Sequence, residues 1–212
     1  MLLCISERTR ADLVGFSAAA ARKATVSWLG PGMMPKDSFD EQSNGVLLLV
    51  GGAKHKNNEL AAAAIAVDVP RWCKSVIGVG VSQEVRTVTE SSLGAENCRW
   101  FERISDEALI DLYREAEYFM LLGRDEGFGL PYIEALSAGC TVIAVDQPLT
   151  RELLDEAAVL VKFGTPAEIS TQLRSIRVPS PDLRRHRADQ FDWELFVEGV
   201  RSALSNASSP KP

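Results

Sequence analysis

The 212-residue sequence has few of the residues from which metal clusters and disulfide frameworks are built. It contains two histidines and four cysteines, and no two cysteines form a Cys-x-x-Cys pair. A zinc cluster is therefore not expected. The scattered cysteines are predicted to be reduced and mostly buried, as in a cytoplasmic protein.

Long apolar runs and an excess of positive charge are also absent. No apolar run reaches the ~20 residues that a membrane-spanning helix requires. The first six residues are too short for a signal-peptide core, which again favours a cytoplasmic location. Lys plus Arg number 23 against 29 Asp plus Glu, a net charge of −6 that argues against general nucleic-acid binding.

The remaining composition is that of an ordinary folded protein, with 46% hydrophobic and 25% charged residues. From Val46 onward, short apolar segments alternate with helix-like segments. Such non-alternating strands predict a parallel sheet covered on both faces, and thus a doubly wound, Rossmann-like α/β domain. Strands are expected at 46–50, 75–79, 98–101, 118–122, 141–145 and 159–163.

Four regions follow from the pattern. Residues 1–30 form a short strand–helix–strand unit, with one helix expected over 7–21. Residues 31–45 are rich in breakers and polar side chains and predict a linker. Residues 46–190 form the Rossmann-like domain, and residues 191–212 a closing helix with a frayed tail.

The loop after the expected strand 118–122 carries the most chemical information. Gly127 and Gly129 allow a ligand to approach the backbone, and Pro131 suits a helix start whose free N–H groups attract anions. Glu126 and Glu134 flank this helix start. Carboxylates repel phosphate but accept hydrogen bonds from sugar hydroxyls. A well-capped helix with a favourable acidic residue explains the same residues, so helix rules alone leave both interpretations open.

At this point the sequence resembles a known family. The segment Glu126-Gly-Phe-Gly-Leu-Pro-Tyr-Ile-Glu134 resembles the Glu-x7-Glu signature of the retaining GT-B glycosyltransferases of family 4, the group 1 glycosyltransferases. Val50-Gly-Gly-Ala-Lys-His-Lys-Asn57 resembles the phosphate loop of their C-terminal, donor-binding domain. Segments 104–116, 139–145 and 191–194 match in the expected order. The resemblance implies the C-terminal half of a GT-B fold that binds a nucleotide-diphosphate sugar and transfers the sugar with retention.

The resemblance also implies individual roles. Lys56 would contact the donor diphosphate, Glu126 would hold hydroxyls of the transferred sugar near its anomeric carbon, and Glu134 would accept both ribose hydroxyls. Lys56 and Glu126 are thus the catalytic candidates. The backbone of 127–130 would bind phosphate, and the loops at Gly80 and at 103–104 would line the base pocket. The further donor-binding candidates are Gly51, Gly52, Gly80, Arg103, Ile104, Gly127, Phe128, Gly129 and Leu130.

No metal and no other cofactor is expected. Metal-dependent transferases commonly hold their ion with an Asp-x-Asp pair, and this sequence has none. Lys56 and a helix N-terminus can supply the positive charge that a departing diphosphate requires. The base (GDP or UDP) and the sugar stay open.

Two positions depart from the family pattern. Gly52 stands where the family usually has an arginine that contacts the same phosphates, and Lys54 is a candidate substitute. Leu122-Gly123 stands where the family often has Pro-Ser. The missing arginine favours an alternative, a non-catalytic nucleotide-sugar-binding or partner subunit. A dehydrogenase is disfavoured, because Gly78-Val-Gly80 lacks the third glycine of the dinucleotide fingerprint.

The partners follow from the extent of the resemblance. Residues 1–30 look like a remnant of the N-terminal, acceptor-binding domain, so the sequence predicts an incomplete enzyme. The chain would then be a fragment, one part of an enzyme whose acceptor domain is a separate subunit, or a protein that no longer catalyses. The acceptor, a glycan or a lipid, stays open. The bare apolar surface of residues 1–30 would fold back on the Rossmann-like domain or pair with another chain, as in a homodimer. The basic helix within 7–23 is also compatible with peripheral contact to an anionic membrane.

Overall fold

The N-terminal unit is a two-stranded parallel sheet with two short helices between its strands. The structure, a computed structural model, describes residues 2–34, 39–124 and 126–208. Strands β1 (Leu2–Cys4) and β2 (Ala24–Val26) pair from Leu2 opposite Ala24. The single helix expected over 7–21 is wrong: α1 (Glu7–Val14) ends, and α2 (Ala18–Ala21) starts separately. The hydroxyl of Ser17 accepts a hydrogen bond from the N–H of Ala20 and so caps the new helix.

A six-stranded, all-parallel sheet forms the centre of the chain and confirms the expected doubly wound fold. The strands run in the order β5–β4–β3–β6–β7–β8. The chain thus winds outward from β3 in one direction and from β6 in the other. The six strands are β3 (Val46–Val50), β4 (Ser75–Val79), β5 (Cys98–Phe101), β6 (Tyr118–Leu121), β7 (Thr141–Val145) and β8 (Val159–Val161).

Helices cover both faces of this sheet, because its strands are apolar on both sides. Leu48 of β3 belongs to the core under one face, and Leu47 and Leu49 belong to the core under the other. The first core is closed by α5 (Asp106–Glu115), α6 (Leu130–Ala138), α7 (Pro148–Leu154) and α9 (Pro181–Ala188). The second core is closed by α3 (Asn58–Val67), α4 (Gln83–Leu93) and α8 (Pro166–Leu173).

The N-terminal unit lies against the larger sheet domain. The ring of Trp28 stacks on Phe191 with centroids 5.3 Å apart, and its Nε1–H donates to Oε1 of Glu152 over 2.9 Å. The last helix, α10 (Trp193–Ser208), packs near β2, where the hydroxyl of Ser27 donates to the carbonyl of Phe196. The apolar side of the unit therefore folds back on the domain, as expected for a surface that would otherwise be bare.

The cysteines are mostly buried, as expected. All four are free, with Cys4, Cys73 and Cys140 buried and Cys98 half-buried. Within the described ranges, no helix combines the length and the apolar character needed to cross a membrane.

Candidate functional site

The candidate site lies at the carboxyl ends of β3 and β6, the neighbouring strands at which the winding direction reverses. Ligands of open parallel sheets bind at such a point. The backbone continues the sheet a little beyond the strands: the N–H of Gly51 donates to the carbonyl of Val79, and that of Gly80 to Phe101. The loops after β3, β4, β5 and β6 therefore form one edge.

Lys56 and Glu126 meet at this edge. Lys56 closes a 3₁₀ turn (Lys54–Lys56) after β3, and its Nζ lies 3.0 Å from Oε1 of Glu126 in the loop after β6. The Glu126 side chain is only 8% exposed, and its Oε1 has no hydrogen-bond partner of good geometry in the described chain. The ammonium is thus an ionic neighbour that leaves the oxygen available as a hydrogen-bond acceptor.

Two asparagines fix the turn that carries Lys56. Asn57 adopts the left-handed conformation (φ 55°), and its Nδ2 donates to the carbonyl of Leu122 over 3.0 Å. The neighbouring Asn58 is buried and donates through Nδ2 to the carbonyl of Gly51. These bonds tie the phosphate-loop candidate to the ends of both central strands.

Close backbone approaches leave little space for a side chain at Gly52 and Gly123, the two glycines that depart from the family pattern. A Cβ atom at Gly52 would overlap the carbonyl oxygen of Gly80, so this backbone has no space for a side chain there. A Cβ at Gly123 would lie 2.8 Å from the carbonyl oxygen of His55 and 3.2 Å from Oε1 of Glu126. Glycine at both positions lets the Lys54–Lys56 turn lie tightly against the neighbouring loops.

The glycines before α6 differ in their surroundings. Gly127 is exposed, and a Cβ there would meet no atom within 4 Å. Gly129 has a φ of +83°, and a Cβ there would approach the ring of Tyr132 to 2.5 Å. Phe128 between them points into the core against Phe191, so only its backbone is available to a ligand. Pro131 at the helix start and half-buried Leu130 complete the loop.

Glu134, on the second turn of α6, is a buried carboxylate with two donors. The hydroxyl of Tyr113 donates to its Oε2 over 3.1 Å, and the backbone N–H of Met33 also bonds to the carboxylate. Burial raises the pKa of Glu134 above the ordinary value, while both bonds and the charge of Lys56 oppose this rise. Gly32 has a φ of +56°, and a Cβ there would overlap Oε1. The linker therefore passes directly over Glu134.

The remaining candidates lie along the same edge. Gly80 faces Gly51 and Gly52, with a φ of +66° that glycine adopts easily. Arg103 is exposed and Ile104 half-buried after β5. His55 also lies at this edge: its Nε2 is 3.9 Å from Oε1 of Glu126, and its side chain is 45% exposed.

Sequence reasoning missed four groups that shape the site: Asn57, Asn58, Tyr113 and the Gly32–Met33 segment. The asparagines carried a signal, since consecutive amide side chains at a strand–helix junction are typical of backbone-bonding caps. Tyr113 and the linker carried none, because their approach to Glu134 depends on tertiary packing. Across residues 2–34, 39–124 and 126–208, no group of three or more His, Cys, Asp or Glu side chains could hold a metal ion.

Known proteins resemble this chain in sequence and in fold. Residues 34–190 match the family model for glycosyl transferases group 1. The serotype-specific mannosyltransferase WbdA of Escherichia coli is 29% identical over 107 residues, which is 50% of this chain and 13% of that protein.

Two solved structures share the fold. The apo lipopolysaccharide outer core galactosyltransferase WaaB has a TM-score of 0.74 at 14% identity, over 97% of this chain and 61% of that one. The pneumococcal O-GlcNAc transferase GtfA, solved with UDP and GlcNAc, has a TM-score of 0.69 at 15% identity, over 98% and 45%. The chain thus spans less than two thirds of each of these relatives. The architecture is that of GT-B glycosyltransferases, and the match over 34–190 shows that the chain belongs to the group 1 glycosyltransferase family.

Proposed function

We propose that this chain binds a nucleoside-diphosphate sugar and supports its transfer with retention of the anomeric configuration, as a family 4 enzyme. The observation that carries the proposal is the meeting of Lys56 and Glu126 at the β3–β6 edge, beside the helix start at 127–130. Glu134 lies one helical turn after the start of α6, where it would accept the ribose hydroxyls. One nucleotide sugar would engage all of these groups.

The positive charge comes from two sources in this proposal. Lys56 would face the diphosphate, and the free N–H groups at the start of the nine-residue α6 would bind its oxygens. When the bond between the anomeric carbon and the phosphate oxygen breaks, the electron pair leaves with the diphosphate. Preorganised positive charge stabilises that developing anion, so the proposal needs no metal.

Glu126 would bind the sugar. Its Oε1 is buried and lacks a well-aligned donor, which suits a carboxylate that accepts hydrogen bonds from sugar hydroxyls. Such bonds would hold the anomeric carbon above the diphosphate. The acceptor hydroxyl then attacks that carbon from the side that the leaving group occupied, and its proton passes to the departing phosphate oxygen.

The experiment is calorimetry with UDP, GDP and the two nucleosides. We expect one diphosphate to bind much more tightly than its nucleoside, and chelation of divalent cations to leave the affinity unchanged. Because UDP accompanies one of the related structures, UDP is the first probe. A folded chain that binds neither diphosphate would contradict the proposal.

The alternative function, nucleotide-sugar binding without catalysis, is favoured by Gly52. The backbone at Gly52 leaves no space for the family arginine, so one positively charged contact to the phosphates is missing. The two functions predict the same binding and differ in turnover. Incubation with UDP-sugars and candidate acceptors separates them, and the anomeric configuration of any product, read by NMR, tests retention.

A further inference from the structure

Tyr113 is a fully buried residue whose hydroxyl bonds to Oε2 of Glu134. Its ring packs against Phe119 with centroids 5.6 Å apart. The thiol of Cys140 donates to the backbone carbonyl of Tyr113 over 3.1 Å. Because the ring and the backbone are both fixed, the hydroxyl occupies a defined place relative to the carboxylate.

The carboxylate of Glu134 can accept more hydrogen bonds than its two protein donors supply. An ionised carboxylate offers about four lone-pair positions. Tyr113 and the backbone N–H of Met33 occupy two of them. Two neighbouring ribose hydroxyls can take the others only if the carboxylate plane is held still, since both bonds depend on its angle.

We infer that Tyr113 is a positioning residue for ribose recognition, which fixes the Glu134 carboxylate and thereby makes the chain prefer ribonucleotides to deoxyribonucleotides. The inference rests on the proposed function, because it takes Glu134 as the acceptor of ribose hydroxyls. Tyr113 acts through Glu134, and its buried side chain makes no contact with the nucleotide.

The charges around Glu134 give the inference a pH signature. Lys56 at the loop after β3 lowers the pKa of Glu134, and Asp106 at the start of α5 raises it. The bonds from Tyr113 and Met33 lower it as well, against the dominant effect of burial. Removing the Tyr113 hydroxyl therefore raises the pKa of Glu134 further. When the pH is lowered, Glu134 is then protonated earlier, and ribonucleotide affinity begins to fall at a higher pH than in the wild type.

The experiment measures dissociation constants of UDP and 2′-deoxy-UDP by calorimetry between about pH 5 and 8, with GDP and its 2′-deoxy analogue if GDP is the tighter ligand. We expect Tyr113→Phe to weaken binding of the ribonucleotide about tenfold, because the loosened Glu134 carboxylate then bonds the ribose hydroxyls less well. Binding of the deoxy analogue should weaken distinctly less, because it has one fewer of these hydroxyls. The pH at which affinity declines should move upward. In a Glu134→Ala background, which leaves the Tyr113 hydroxyl no side-chain acceptor at position 134, Tyr113→Phe should change neither quantity.

Tyr118→Phe is the matched control. Tyr118 is also buried and its hydroxyl bonds to a carboxylate, Glu117, but it lies at the amino end of β6, away from the site. If Tyr113→Phe does not fold, 3-fluorotyrosine at position 113 keeps the ring and supplies a more acidic donor, which should move the pH profile downward.

Three outcomes are distinguishable. A folded wild-type chain that binds neither UDP nor GDP overturns the proposed function and this inference with it. Binding with an unchanged ribo-to-deoxy ratio and pH profile in both Tyr113 variants overturns the inference alone. An equal change of ratio in Tyr118→Phe also overturns it, because the effect would then be a general loss of packing.

Discussion

The ammonium of Lys56 and the carboxylate of Glu126 lie 3.0 Å apart, so the two groups that we propose for phosphate and sugar neutralise each other. Their side chains are 16% and 8% exposed. A bound nucleotide sugar would give each group its own partner. The ammonium would contact the diphosphate, and the carboxylate would accept hydrogen bonds from the sugar hydroxyls. The pair thus keeps both charges compensated at a buried position.

Lys56→Met should weaken nucleoside-diphosphate binding much more than nucleoside binding. The loss of a charge-assisted bond costs about 1.5–3 kcal/mol, or about 10- to 150-fold in the dissociation constant. Calorimetry on UDP and uridine measures both. Lys74→Met, an exposed lysine just before β4 at the opposite edge, is the control. Equal weakening of the two ligands would contradict a phosphate role.

The same variant should also unfold more easily, by about 1–3 kcal/mol, because Glu126 then keeps a largely buried charge without its counter-ion. Adding Glu126→Gln should restore part of the loss. Urea denaturation of the two single variants and the double variant forms a cycle. Strict additivity of the two substitutions would show that the pair is not coupled.

Gly127→Ala should retain the fold but lose affinity for the diphosphate at least about tenfold, since a methyl group there would intrude on a ligand bound to the helix start. The protein itself leaves that space open. Gly129→Ala is the contrasting variant: at φ +83° and against the Tyr132 ring it should lower stability by about 1–3 kcal/mol. A Gly127→Ala protein with wild-type affinity would move the phosphate site elsewhere.

Gly52→Arg should not restore a stronger phosphate site, although it introduces the residue that the family usually has. Its Cβ would overlap the Gly80 carbonyl oxygen, so we expect a loss of about 1–3 kcal/mol in stability and no gain in UDP affinity. Ala53→Arg places the same charge one residue later, at an exposed position that already has a Cβ. Tighter UDP binding by a stable Gly52→Arg protein would be the contrary result.

The sheet and most of its elements could be predicted from the sequence, because apolar runs such as Val46–Val50 are buried on both faces and admit few alternatives. Lys56 and Glu126 follow neighbouring strands, and the strand order brings them together. The apolar pattern does not predict the break between α1 and α2, because Gly15 at the end of α1 and the capping Ser17 set it locally. The linker over Glu134 could not be foreseen, since it depends on Gly32 packing against a residue about one hundred positions away.

Glu134→Gln should gain stability relative to the wild type as the pH rises from about 4 to neutrality. Burial raises the pKa of Glu134 in the folded protein. The unfolded chain therefore releases this proton first, and the wild type loses stability as the pH passes from the unfolded to the folded pKa. Glutamine does not titrate and still accepts the Tyr113 bond, so the difference in the free energy of unfolding should widen in favour of the variant.

Glu168→Gln should behave in the opposite way, because bonds from the backbone and hydroxyl of Thr165 lower the pKa of Glu168. Urea denaturation of the three proteins across this pH range measures both differences. A gap for Glu134→Gln that stays constant with pH, or follows that of Glu168→Gln, would show that the carboxylate is not held in the buried state described here.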